Sequence, residues 1–264
     1  MIKSQSTRSK REAKKSTPEE ITRNQTLNET IDLRDWLRRC HSAGVPVIPA
    51  KVCPFEIKID EILHRAAERT QGLEPQIEAI SSWTEKMVNE AAKLTGKAMW
   101  RWSLCAPIEI KAAISHPGIP VRMPWPGEAT DDERFLAILS ECQEAGIKTV
   151  TTIARPWIQA VYENEFPVEF RVFVTAGGGT STTSYYTQRP LSKKWLPHAR
   201  KAARLAQSLR PHVAEGTEFS ADFLVTKTGD ILFLEGGPPP QFGGDPCCLD
   251  PTLPLGDGRI AFKK

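Results

Sequence analysis

Apolar residues recur at helical spacing through the first third of the chain and at strand spacing through much of the rest. Leu27, Ile31, Leu33, Trp36 and Leu37 predict a helix over 26–41, ending before Gly44. Ile59, Ile62, Leu63 and Ala66 predict a second over 55–70. Ile77, Ile80, Trp83, Met87 and Leu94 predict a third over 75–94, with Pro75 in its first turn and Gly96 just past its end. Between the first two, the prolines of 45–50 impose a short extended segment. The period then shortens. Residues 99–105 are aromatic and alternating, and 147–153 are β-branched. The run VEFRVFV at 168–174 alternates strictly, with Glu169 and Arg171 on one side and Phe170, Val172 and Val174 on the other. Gly177, Gly178 and Gly179 form a turn into a Thr- and Tyr-rich partner strand over 180–187. Helical periods return at 130–145, with Thr130 as N-cap and Gly146 behind it, and in a basic amphipathic stretch over 192–214.

The last predicted pair is a hairpin over 218–240. Its first strand, Phe219 to Val225, is largely apolar but contains Asp222. Thr228, Gly229 and Asp230 supply the turn. The second strand, Ile231 to Leu234, ends on Glu235, two glycines and three prolines. If Asp222 and Glu235 project to one face, two carboxylates meet at one end of a sheet. Unpaired buried carboxylates are costly, and a shared hard cation such as Mg²⁺ is one remedy. The pair Gly236-Gly237 permits a ligand to approach the backbone closely. Helices come first and a mainly antiparallel sheet follows, an α+β pattern. The tail after Gln241 reads as loop, and the four prolines of 115–127 mark a long loop of the kind that forms functional lids.

Composition adds exclusions. The chain has 264 residues, is 40% hydrophobic and 25% charged, and carries a net charge of +3. So small a charge gives no whole-chain field toward nucleic acid and counts against it as a partner. The basic excess is local: over 1–15, Lys3, Arg8, Lys10, Arg11, Lys14 and Lys15 stand against Glu12 alone, and the whole arm over 1–25 is too polar to form a core and expected to be disordered. No segment approaches the roughly 18 apolar residues of a membrane span. None of the six cysteines forms a C-x-x-C pair, and the adjacent Cys247 and Cys248 are a poor start for a zinc site. Reduced thiols and a cytoplasmic location are the expectation.

In this order, the pieces resemble the ATP-grasp superfamily, over 97–245. They are a strand pair bearing Arg101 and Lys111, the linker Ile153-Ala154-Arg155-Pro156-Trp157-Ile158, the strand with Arg171, and the hairpin with Asp222 and Glu235. The match is to the subgroup with an Arg and a Lys ahead of the hinge. The resemblance implies an ATP-grasp-like α+β fold with flanking helices, arranged as a basic arm (1–25), a helical N-terminal region (26–96) and an ATP-grasp-like domain (97–264). It implies ATP and Mg²⁺ as cofactors, with Asp222 and Glu235 as metal ligands. Arg101, Lys111, Arg155, Pro156, Trp157, Ile158 and Glu169 fall on ATP, and Arg171 and Lys111 on the transferred phosphoryl group. Glu163, Glu165 and Glu169 are all in range of the ribose. The implied chemistry is ligation of a small-molecule or peptide carboxylate to an amine through an acylphosphate, which needs no protein nucleophile.

The sequence departs from the family at Gly237, where an Asn usually completes the metal ligands. Gln241 or Asp245 would have to substitute. That departure keeps open a degenerate fold that binds nucleotide without turnover. A second alternative is a nucleic-acid or partner-binding module that uses the basic arm and the 192–210 helix. The remaining candidates have plainer readings: His116 as a solvated loop residue, and Tyr185 and Tyr186 as packing.

Overall fold

Thr17 and Glu20 close the first turn of helix α1 (Pro18–Thr30) reciprocally. The Thr17 amide donates to Glu20 Oε2 at 2.8 Å, and the Glu20 amide donates to Thr17 Oγ1 at 3.2 Å. This is a computed structural model, and it describes residues 17–70, 98–105, 111–113, 133–156, 158–163, 165–186, 191–242, 247–250 and 252–262. The capping box places the end of the expected arm inside a helix. The helix expected over 26–41 is two helices, because Asp32 breaks it: its backbone is extended and its carboxylate accepts from the Arg34 amide at 2.8 Å, starting α2 (Leu33–Ala43). Gly44, at φ +66°, ends α2 in the left-handed conformation.

The N-terminal region is not all helix. Strand β1 (Lys51–Lys58) precedes α3 (Ile59–Thr70), so the apolar run from Phe55 is strand before it is helix. The helix expected over 75–94, the 115–127 loop with His116, the arm over 1–16 and Thr130 lie outside the described residues. Strand β1 joins β4 (Thr149–Pro156), β2 (Ala98–Trp102) and β3 (Lys111–Ala113) in a four-stranded antiparallel sheet of order β1-β4-β2-β3. Helix α3 and α4 (Glu133–Glu144) cover it, burying Ile57, Ile59, Ile62, Trp102, Leu139 and Val150.

Past a short hairpin, β5 (Tyr162–Glu163) and β6 (Phe166–Pro167), comes the larger sheet. Its order is β10-β9-β7-β8-β11, with β7 (Glu169–Val174), β8 (Thr180–Ser184), β9 (Phe219–Val225), β10 (Ile231–Gly237) and β11 (Ile260–Ala261). The first four strands are antiparallel neighbours; β11, from the tail expected to be loop, adds parallel to β8. Helix α5 (Leu196–Ser208) lies across one face. Ala199, Ala202 and Ala206, all fully buried, recur along one side of α5, and such small residues let it approach Phe170, Phe223 and Phe233 closely. Trp36 of α2 fills the rest of that face, against Phe219 and Phe233. The extended segment over 45–50 runs along the edge of β10, where the Phe233 amide donates to the Pro46 carbonyl at 2.8 Å. No helix among the described residues is long and apolar enough to cross a membrane.

Candidate functional site

The two acids meet because the hairpin is irregular. Ile231, Leu232 and Phe233 pair in step with Val225, Leu224 and Phe223. Continued, that register would set Leu234 opposite Asp222 and turn Glu235 toward the core. A one-residue bulge at Leu234 instead sets Glu235 opposite Asp222, on the same face. Arg171 of β7 is the register partner of Asp222 on its other side, and Thr183 of β8 that of Arg171. One row therefore reads Thr183, Arg171, Asp222, Glu235, on the face of the larger sheet away from α5.

Arg171 grips Asp222 with two parallel bonds, Nε to Oδ1 at 2.8 Å and a terminal nitrogen to Oδ2 at 2.9 Å. The side chains are 13% and 2% exposed. Desolvation there is outweighed by the attraction of Asp222, which holds the Arg171 pKa well above its usual value. The phenol ring of Tyr185 lies 4.7 Å under the Arg171 guanidinium. Arg101 reaches across from β2 of the smaller sheet and donates to Glu235 Oε2 at 2.6 Å and to the Leu104 carbonyl at 2.7 Å. Its side chain is fully buried and that of Glu235 is 6% exposed. Arg155 of β4 is buried beside them and donates to the Leu234 carbonyl at 2.5 Å and the Ile48 carbonyl at 3.3 Å. Burial, with the Arg101 guanidinium close by, lowers its pKa to about 10. Two acids and three arginines thus stand where the two sheets meet, together with an apolar cluster of Ile48, Ala160 and Leu224 with half-buried Ile158, Leu232 and Leu234.

The remaining candidates distribute as follows. Lys111 is the register partner of Arg101 across β2 and β3. Pro156 ends β4, opposite Ala98, and Trp157 lies outside the described residues. Glu169 is buried, and its carboxylate accepts a hydrogen bond from the Tyr186 hydroxyl. Glu163 is committed elsewhere: the Trp195 indole and the Ser192 amide donate to it, and Lys194 stands 3.5 Å away. Desolvation at Glu163 is outweighed by those bonds, which hold its carboxyl below its usual range. Glu165 is exposed in a turn with φ +69°. Of the two proposed substitutes for the missing Asn, Gln241 donates to Glu218 at 2.7 Å and Asp245 lies outside the described residues.

The reading of Gly236 as room for a ligand is corrected. A Cβ there would stand inside the Trp36 ring, so the glycine admits the indole of α2 to the back of β10. A Cβ on Gly237 would meet only Ser220 Oγ, at 3.2 Å. Pattern reading did not single out Ile48, Leu224, Leu232 and Leu234. The alternating burial that marks them on β10 depends on the sheet, and the bulge breaks the period. Lys193, Lys194, Arg200, Lys201 and Arg204 are exposed on or just before α5, on the opposite side of the larger sheet from the charged row.

Burial pushes the thiols of Cys40 and Cys142 up to about 12 from an ordinary 9.0, and raises the phenols of Tyr185 and Tyr186 above theirs. The folded chain then keeps protons that the unfolded chain releases. Stability is full below about pH 9 and falls as pH rises toward 12. Melting temperature should decline through that window, and the phenolate absorbance of Tyr185 and Tyr186 should appear together with unfolding.

No family model matches the chain, and no curated protein matches it in sequence. Among solved structures it is similar to Cdc123 from Schizosaccharomyces pombe, at 13% identity and a TM-score of 0.56, covering 92% of this chain and 98% of that one. It is also similar to N5-carboxyaminoimidazole ribonucleotide synthetase from Thermotoga maritima, at 15% identity and a TM-score of 0.40, over 81% of this chain and 43% of that one. At such identities the Cdc123 likeness concerns the fold alone. That fold is α+β and ATP-grasp-like: a smaller antiparallel sheet with Arg101 and Lys111, and a larger sheet ending in the acid-bearing hairpin.

Proposed function

We propose that this chain is an ATP-dependent carboxylate ligase of the ATP-grasp type, with Mg·ATP held where the two sheets meet. One observation carries the reading: Asp222 and Glu235 stand side by side, each gripped by an arginine, next to an apolar cluster whose outer side chains are half-buried. Apolar walls with a few convergent charges suit a nucleotide, whose base is flat and apolar and whose phosphates are anionic. The donor set fits Mg²⁺. Two carboxylates side by side are hard oxygen donors. A cation held by Asp222 and Glu235 would complete its shell from phosphate and water, as Mg²⁺ does. Asp222 and Glu235 would hold Mg²⁺, which would supply neutralisation of phosphate charge.

The chain's own groups account for the rest. Arg101 and Arg171 offer planar forks to phosphate or substrate carboxylate. Arg155 holds β10 and the 45–50 segment together, which makes it a positioning residue. The Ile158, Leu232 and Leu234 side chains take the adenine face. The substrate carboxylate oxygen bonds to the γ-phosphorus as the bridging bond to ADP breaks, and ADP leaves with the electron pair. An amine then attacks the acyl carbon and phosphate departs.

Binding without turnover is the second reading. Gly237 adds no ligand, and Gln241 is tied to Glu218. Both readings require Mg·ATP to raise the melting temperature. At a hundredfold excess over Kd the gain is about 2.7 kcal/mol, roughly 5 °C or more for a chain of this size. Glu235→Gln and Asp222→Asn should lose that gain, each measured against its own ligand-free midpoint. ADP release that requires a carboxylate and an amine selects the ligase; a thermal shift without ADP release, across a panel of acids, selects binding alone. No shift at millimolar Mg·ATP sinks both.

A further inference from the structure

The two carboxylates proposed to hold the metal already have cations. Arg171 occupies both oxygens of Asp222, and Arg101 stands 2.6 Å from Glu235 Oε2. The two arginines come from different sheets, Arg101 from β2 and Arg171 from β7, so they approach the acidic pair from two directions. Both are held by more than the acids. Arg101 also donates to the Leu104 carbonyl at 2.7 Å and the Trp102 carbonyl at 3.3 Å, and Arg171 stacks on Tyr185 at 4.7 Å.

We infer that Arg101 and Arg171 act as internal counter-cations that keep the metal site closed until nucleotide arrives, so that metal and nucleotide bind together and the metal does not bind first. The inference rests on the nucleotide reading above. Its basis is charge balance in a buried space. With Arg155 buried beside them, three guanidiniums stand against two carboxylates, a net charge of +1 among these five groups. A divalent cation added alone would raise that to +3 among groups with little access to water, or would strip a carboxylate from a buried arginine; both are costly. Nucleotide phosphates change that balance. They bring the anionic oxygens that the arginines need, and forks suited to carboxylate suit phosphate equally. Each arginine can then exchange one anionic partner for another while the carboxylates turn to the metal. Tyr185 and the Leu104 carbonyl are positioning groups that keep the guanidiniums in reach through the exchange.

The test uses the full chain and Mn²⁺, whose free aqueous form is counted by electron paramagnetic resonance, with and without a non-hydrolysable ATP analogue. After the Mn²⁺ chelated by the analogue in a protein-free control is subtracted, wild-type protein should bind Mn²⁺ at least about tenfold more tightly with the analogue than without it. Arg171→Met should bind Mn²⁺ without nucleotide about tenfold more tightly than wild type, and Arg171→Lys, which keeps the charge, should not. The wild-type comparison stands even if Arg171→Met fails to fold. Tight Mn²⁺ binding by wild type without the analogue overturns this inference and leaves the nucleotide reading intact. No binding of analogue or Mn²⁺ under any condition overturns both.

Discussion

Asp222→Ala is expected to destabilise the protein by about 3–5 kcal/mol, among the largest effects of any single change in this chain. The reason is the arginine left behind. Arg171 is buried in the larger sheet, with Asp222 accepting two of its hydrogen bonds at 2.8 and 2.9 Å. Removing the carboxylate leaves a buried guanidinium whose charge has lost its counter-ion. The paired change Asp222→Leu with Arg171→Met should recover most of the loss, because an apolar pair of similar volume removes both desolvation costs. Urea unfolding of the single and paired variants measures this directly. A loss below about 1 kcal/mol for Asp222→Ala would mean the pair behaves as a solvated surface ion pair. The recovered variant should not respond to Mg·ATP. A pair that can be replaced without loss of stability, but with loss of ligand, is retained for binding.

The second large effect is at Gly236. Gly236→Ala is expected to cost about 3 kcal/mol or slightly more, at the upper end of overpacking effects. The added methyl would overlap the Trp36 ring, which is fully buried and also wedged against Phe219 and Phe233. Its indole donates to the Thr30 carbonyl at 2.7 Å, so the ring cannot withdraw without uncoupling α2 from the end of α1. Trp36→Ala alone should cost about 3–5 kcal/mol through the cavity it leaves. In that background Gly236→Ala should cost far less than in wild type, and the difference is the coupling energy. Equal costs in the two backgrounds would show that Gly236 is required for some other reason. The variant also tests how the site is supported, because Trp36 braces β10 from behind while Glu235 projects from the other face.

Local rules recovered much of this architecture from the chain. The strict alternation around Arg171 gave β7, the Thr-Gly-Asp turn gave the hairpin, and the prolines of 45–50 gave an extended segment that now borders β10. Three features depended on something longer-ranged or on a single residue. The register of Asp222 with Glu235 turns on the bulge at Leu234, and an apolar residue in an apolar run gives no sign of a bulge. The Arg101–Glu235 bond joins residues 134 apart in two sheets, which no local spacing encodes. The role of Gly236 belongs to Trp36, two hundred residues away in the chain and in contact with it in the fold. Two further signals stand in the sequence itself. Thr17 and Glu20 carry the capping-box pattern that begins α1, and Asp32 is an N-cap inside what looked like one helix. The apolar wall of Ile48, Leu224, Leu232 and Leu234 was hidden for a physical reason: leucines on a strand look like any sheet core until the charged row beside them is seen.

The central claim is that Asp222 and Glu235 share a cation with nucleotide phosphates. A crystal grown with a non-hydrolysable ATP analogue and Mn²⁺, with data collected at the manganese edge, tests it most directly. The expected result is an anomalous peak at about 2.0–2.2 Å from a carboxylate oxygen of each residue, with the phosphates on its other side and the adenine against Ile158 and Leu234. A peak elsewhere would contradict the claim, as would bound nucleotide with the Arg171–Asp222 and Arg101–Glu235 contacts unchanged and no metal between them.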